Sequence, residues 1–136
     1  MKLEVITDAR GLPLGIAIAA ANRAETDLIE EALDAIPVAL PDSVSLVADK
    51  GYDCDPLRDR LEERGIDLLS PHRSNRTKPT RNDGRKMRRY ARRFVIERTN
   101  SWLHYYRRLA HRWEYYPFMY FGFAQLACIL IGVKRL

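Results

Sequence analysis

Near the N-terminus the apolar positions fall into two short runs, KLEVITD and LPLGIAIAA, separated by DARG. The first alternates apolar and polar residues and is rich in β-branched side chains, which predicts a strand; the second predicts its partner. DARG reads as a turn led by Asp8 and closed by Gly11, so the two runs form an antiparallel hairpin. The period then changes. In ETDLIEEALDAI, Leu28, Ile29, Ala32, Leu33 and Ile36 share one face of a helix, with Thr26 and the neighbouring acids suited to its N-terminal end. Pro37 and Pro41 bracket a loop. SVSLVA is a short apolar run, the pattern of a buried central strand. PLRDRLEERG is a helix with Pro56 in its first turn and Gly65 at its stop, and IDLLSP is another strand.

The second half reads differently. Residues 72–84 (HRSNRTKPTRNDG) form a polar, proline-containing linker with the composition of a mobile basic loop. From about Arg85 to Ala110 the pattern is helical, a break falls near Tyr116–Pro117, and a final apolar helix runs Phe118–Val133. That last stretch contains Gln125 and is short against the ~20 residues of a membrane span, so it predicts a buried core helix. The order β, β, α, β, α, β and then helices argues for an α/β layer structure, with helices against a mixed sheet. A length of 136 residues suits a single domain, and 46% apolar with 30% charged residues excludes a disordered chain. Cys54 and Cys128 fit neither a zinc nor a redox spacing, which points to a reducing cytoplasm.

Charge changes the picture more than composition does. Residues 1–71 hold 7 basic and 15 acidic side chains, a balance of −8. Residues 73–112 hold 14 basic side chains against Asp83 and Glu97, a balance of +12. Such a block is either a solvated face or a surface for the phosphate backbone of nucleic acid. Trp102, Tyr105, Tyr106, Trp113, Tyr115 and Tyr116 interleave with or follow these cations, either as core or as platforms for stacked bases.

Two acids stand out. Asp49 closes the SVSLVA run, and in open α/β sheets ligand sites gather at the carboxyl ends of strands. The alternative is a capping role, for which Asp53 and Asp55 are better placed, immediately before the PLRDRL helix. Glu97 is nearly alone in the basic block. On a continuous helix at about 100° per residue, Tyr90, Arg93, Glu97 and His104 lie within an arc of roughly 60°. That spacing suits either an ordinary Arg93–Glu97 pair or one face joining a metal-binding carboxylate to phosphate-facing cations. A strand-end Asp and a helical Glu beside a cationic surface have the hard oxygen donors that two-metal phosphodiester chemistry requires.

The motifs ADKGYD, YARRFVIERTNSWLH and HYYRRLAHRWEYY, with the apolar terminal helix and the opening VITDARGLPLGIAIAAANRAETDLIEEALDAI, resemble the C-terminal part of bacterial insertion-sequence transposases of the DDE type. The resemblance spans essentially the whole chain. It implies a ribonuclease H-like catalytic domain, α/β with a mixed sheet flanked by helices, and here lacking its first strand. It implies that Asp49 and Glu97 are catalytic acids and metal ligands, with Mg²⁺ or Mn²⁺ in a two-metal site. Tyr90, Arg93 and Glu97 match the family's helical signature, but His104 stands where that signature has lysine. Lys50, Arg89, Arg92, Tyr90, Arg93 and His104 are the expected phosphate contacts. The family's first acid lies upstream of the opening hairpin, and Asp8, in its turn, is a poor substitute.

The expectation is therefore one truncated catalytic domain over residues 1–136, with a mobile loop at 72–84 and C-terminal helices at 85–136. It would cleave and transfer strands at insertion-sequence ends, yet be inactive without the missing part. Its partners would be DNA, further copies or an N-terminal transposase segment, with no membrane involved, in a bacterial cytoplasm or on the nucleoid. The alternatives are a non-catalytic DNA-binding remnant or inhibitor, and a metal-dependent nuclease without strand transfer.

Overall fold

The computed structural model describes all 136 residues. The elements are β1 (Lys2–Thr7), β2 (Pro13–Ala19), α1 (Glu25–Asp34), β3 (Val44–Val47), α2 (Asp55–Glu63), β4 (Ile66–Leu69), α3 (Phe94–His104), α4 (Arg107–Ala110) and α5 (Pro117–Arg135). Two short 3₁₀ segments, Lys50–Tyr52 and Lys86–Arg93, complete them. The α/β class is as expected. The strands, however, do not join in one mixed sheet: β1 pairs antiparallel with β2, and β3 pairs parallel with β4, as separate two-stranded sheets. Each pairing is made by its own local connection, a tight turn for the hairpin and a helical crossover for the parallel pair.

Two compact units result, Met1–Pro37 with Phe94–Leu136, and Val38–Arg93. In the first, the hairpin carries helices on both faces. Gly15 faces α1 so closely that a Cβ would run into the Ala32 carbonyl. The helix buries the Leu28, Ile29, Ala32 and Leu33 stripe that the sequence spacing predicts. The other face of the hairpin presents Ile16, with Leu3, Val5 and Ile18 alongside, to Leu103, Leu109, Tyr120, Ala124, Ala127 and Ile131.

The terminal helix is not the buried core helix its composition suggests. Only the stripe Tyr120, Ala124, Ala127 and Ile131 is buried, while Phe118, Met119, Leu126, Ile129, Leu130 and Val133 are exposed. The hairpin is two strands wide, so it covers a single face of the helix. By length and composition alone this helix could cross a membrane.

In the second unit α2 buries Leu57 and Leu61 completely and links β3 to β4. Gly65 ends it at φ +75°, a left-handed conformation that suits glycine. The continuous helix expected from Arg85 to Ala110 is broken. Residues 86–93 (KMRRYARR) form a 3₁₀ segment, α3 follows, and a turn at Tyr105–Tyr106 precedes α4. Five cations in eight residues put like charges three and four apart, which weakens an α-helix. The helical-wheel arc for Tyr90, Arg93, Glu97 and His104 therefore does not hold across the junction at Arg93–Phe94.

Candidate catalytic acids and nucleic-acid surface

Asp49 leaves β3 as the cap of the 3₁₀ turn Lys50–Tyr52, and its Oδ1 accepts the Gly51 N–H at 2.7 Å. The residue is exposed. Capping and exposure thus coincide in one side chain, and the carboxylate stays open to solvent at the carboxyl end of a parallel strand pair. The backbone beneath it is pinned. Buried Ser70, just past β4, donates its Oγ–H to the Asp49 carbonyl at 2.6 Å. Ala48 N–H bonds to the Leu69 carbonyl at 3.0 Å, continuing the ladder to the edge of the turn. Lys50 is exposed beside Asp49.

Asp53 and Asp55 do not cap α2; the cap position is Cys54, with no side-chain bond. Asp53 instead sits with its side chain 3% exposed at the centre of a cationic cage. Its Oδ1 receives Arg58 at 3.0 Å, Arg76 at 3.3 Å and His72 Nδ1 at 2.9 Å, and its Oδ2 accepts the Arg73 N–H at 2.8 Å. His72 Nε2 accepts the Arg81 N–H at 3.0 Å, so the ring proton lies on Nδ1 and is donated to Asp53. Burial alone would raise the Asp53 pKa, but the hydrogen bonds from Arg73 N–H, His72 and Arg58 outweigh it and hold the group at about 2. Asp55 is also depressed, chiefly by a two-point bond from Arg76 at 3.0 and 3.1 Å.

Arg58 is itself buried, at 5% exposure, and donates to the Leu68 and Ser70 carbonyls at 2.9 and 2.8 Å. The sequence pattern does not reveal this network as a whole. One signal was nonetheless present: Arg58 occupies the Leu57–Leu61 stripe of α2, where an unpaired charge could not stay.

The second acid is seated by different means. Glu97 is exposed on α3 and is followed by the two residues that fasten the helix to the β1–β2 turn. Thr99 is fully buried and donates its Oγ–H to the Gly11 carbonyl at 2.7 Å, while Arg98 donates to the Arg10 carbonyl at 2.7 Å. The turn is closed by Asp8, whose Oδ1 accepts the Arg10 and Leu12 N–H groups at 2.8 and 3.0 Å. Asp8 is thus engaged as a turn residue. His104 ends α3, seven residues from Glu97 and close to the same face, and is exposed. Asp49 and Glu97 belong to different units.

Among the expected phosphate contacts, Arg93 donates to the Tyr90 hydroxyl at 2.9 Å and lies 5.4 Å from that ring's centre. In a 3₁₀ segment residues three apart eclipse, which brings this pair together. Arg89 is exposed but donates to Ser45 Oγ at 2.7 Å, and Arg92 is exposed.

The basic block also meets part of its counter-charge within the chain. Arg76 pairs with Asp53 and Asp55, Arg81 with Asp59 at 2.8 Å, and Lys86 with Asp67 at 2.8 Å. Arg85, Arg88 and Arg92 are exposed and belong to none of these pairs. The aromatics divide. Trp102 and Tyr106 pack against the apolar core, and the Trp102 ring carries Arg98 at 5.0 Å and Arg135 at 3.8 Å, which occupies it against base stacking. Tyr105, Trp113 and Tyr115 are exposed.

No group of three or more His, Cys, Asp or Glu residues is arranged to hold a metal ion. Asp49 taken alone has suitable donor chemistry, a hard, exposed carboxylate with one backbone bond. A cleft of about 420 Å³ lies between Ile16, Ala35, Phe121, Cys128 and Ile129, and none of the expected site residues lines it. Burial raises the Cys128 thiol to about 11, so it stays protonated there.

Residues 1–131 match the family described as the transposase DDE domain. The chain belongs to that family. It is 34% identical over 137 residues to a protein of Burkholderia cepacia named "Putative transposase for insertion sequence element IS402". The match covers 96% of this chain and 61% of that relative's length. No solved structure matches.

Proposed function

We propose that this chain supplies two acids, Asp49 and Glu97, to the ribonuclease H-like catalytic domain of an insertion-sequence DNA transposase. The observation that carries the reading is the exposed Asp49 carboxylate at the carboxyl end of β3, inside a family match that spans nearly the whole chain. Divalent metal ions held by these carboxylates would activate the attacking oxygen and neutralise the leaving one, with Mg²⁺ or Mn²⁺ the suitable kind. The chain's own residues hold and orient. Lys50, Arg89, Arg92 and His104 contact DNA phosphates, and Arg93 and Tyr90 act as one hydrogen-bonded unit toward them. Asp8 is committed to its turn, so a third carboxylate comes from an N-terminal transposase segment or another copy. The setting is DNA in a bacterial cytoplasm.

On this reading, the chain alone cleaves no DNA measurably with Mg²⁺ or Mn²⁺, yet binds DNA with an affinity that Mg²⁺ and Asp49→Ala both alter. Strand cleavage by the chain alone, abolished by Asp49→Ala, would show that the third carboxylate is not needed.

The +12 balance of residues 73–112, with Arg85, Arg88 and Arg92 exposed, supports a second reading, a DNA-binding remnant or inhibitor of a longer transposase. It predicts steeply salt-dependent, sequence-indifferent binding that ignores both Mg²⁺ and Asp49. One salt titration of wild type and Asp49→Ala, with and without Mg²⁺, separates the two.

A further inference from the structure

The motif ADKGYD holds two aspartates in opposite states. Asp49 is exposed and accepts one backbone hydrogen bond. The Asp53 side chain is 3% exposed and is filled by four donors, from Arg58, His72, Arg76 and the Arg73 backbone. It has no room left for a cation or a substrate.

Two arms leave Asp53, and both end on the turn that carries Asp49. Along the first, Asp53 Oδ2 holds the Arg73 N–H at 2.8 Å, and the Arg73 guanidinium donates to the Gly51 carbonyl at 2.7 Å and the Lys50 carbonyl at 3.3 Å. Along the second, Asp53 Oδ1 holds Arg58 at 3.0 Å. Arg58 donates to the Ser70 carbonyl at 2.8 Å, and Ser70 Oγ–H donates to the Asp49 carbonyl at 2.6 Å. Three consecutive carbonyls, those of Asp49, Lys50 and Gly51, are thereby fixed by bonds that converge on one carboxylate.

We infer that Asp53 is a positioning residue, which through Arg73 and the Arg58–Ser70 pair fixes the turn that presents the Asp49 carboxylate. The role assigned to Asp49 rests on the function proposed above; the brace itself rests on the bonds just given. The turn's own Tyr52 and Asp53 N–H groups reach the Asp49 and Lys50 carbonyls at 3.1 and 3.3 Å. A helix cap or a plain surface ion pair would add no side-chain donor to them and would leave the Gly51 carbonyl to water. Here they are held from within the unit, so the acid's direction is set before any ion or phosphate arrives. The basic loop is part of the device, because Arg73 and Arg76 belong to it.

The test is backbone ¹⁵N relaxation on the full chain. Asp53→Asn keeps the side-chain shape and removes the charge. Arg73→Gln, at an exposed position, cuts one arm without touching the core. In the wild type the order parameters of Lys50 and Gly51 sit near the rigid value of about 0.85; in each variant they fall below about 0.6. Ala48, bonded to Leu69, serves as the reference and stays rigid. A turn that remains as rigid as wild type in Arg73→Gln and Asp53→Asn overturns the inference, and so does equal loosening of Ala48, which would mark a merely structural role.

Titration with Mn²⁺ tests the function separately, since its paramagnetism broadens nearby signals. Wild type loses the Lys50 and Gly51 signals, Asp49→Asn keeps them, and the two positioning variants need several-fold more Mn²⁺. If Mn²⁺ spares those signals in wild type, the metal reading fails, and the brace is then judged on the order parameters alone.

Discussion

The two candidate acids are held by opposite kinds of chemistry. Asp49 stands on a turn fixed by charge, through a buried carboxylate, a buried arginine and a loop of basic side chains. Glu97 stands on a helix fixed by packing, through Val95 and Leu103 in apolar surroundings and one buried hydroxyl at Thr99. A polar brace sets direction but must desolvate its charges, and it fails sharply when one partner is removed. An apolar seat is tolerant of small changes and indifferent to pH and salt. The comparison therefore predicts that the two units respond to different perturbations.

The largest separation comes from Arg58→Ala. It leaves Asp53 buried with fewer cations and the Leu68 and Ser70 carbonyls without their donor, a loss of roughly 3–5 kcal/mol. Urea unfolding followed by hydrogen exchange of the β3 and β4 amides should show it. The β1–β2 amides, in the other unit, should exchange as in wild type.

Acid gives the next largest effect. The folded Asp53 pKa of about 2 lies below its ordinary 3.8. A depressed carboxylate stabilises the fold fully above the unfolded value, and the contribution fades as pH falls from about 4 through about 2. The amount is about 2 kcal/mol, belonging to Val38–Arg93. Acid titration watched by β3–β4 amide signals should show that unit loosening across this window. Replacing Asp53 with asparagine should flatten its response.

These two effects mark how far the sequence could be read. The strands, the α1 stripe and the exit of β3 onto Asp49 were legible because period and turn chemistry are local. Hairpin pairing was legible for the same reason. The Asp53 cage was not, because its members come from α2 and from a loop about 20 residues on, and no period links Asp53 to His72, Arg73 and Arg76. The one local clue was Arg58 on an apolar stripe. The division into two sheets was hidden too, since period reveals strands but not which strands share a ladder. The exposed side of α5 was hidden because composition measures how apolar a helix is, not how much neighbouring surface exists to cover it.

Thr99→Val probes the packed side of the comparison. It preserves shape and burial but leaves the Gly11 carbonyl without its buried donor, a cost of about 1–2 kcal/mol. The loss should be read in the amides of β1, β2 and α3 and should not vary between pH 2 and pH 4 in the way the Asp53 contribution does. A response in β3 and β4 instead would mean that the two seats are not independent.

The smallest effect sharpens the division within the basic block itself. If paired and unpaired arginines differ in what they offer DNA, the salt dependence of binding should tell them apart. Each duplex phosphate that a cation no longer neutralises lowers the slope of log K against log salt by about 0.9. Arg88→Gln and Arg92→Gln should each remove close to that amount, because both side chains are exposed and outside the cage. Arg76→Gln should leave the slope nearly unchanged while destabilising Val38–Arg93, because its guanidinium is already engaged by Asp53 and Asp55. Equal slopes for all three would mean that DNA pulls Arg76 out of its cage, and the charge-built brace would then be a reservoir of cations that bound DNA draws upon.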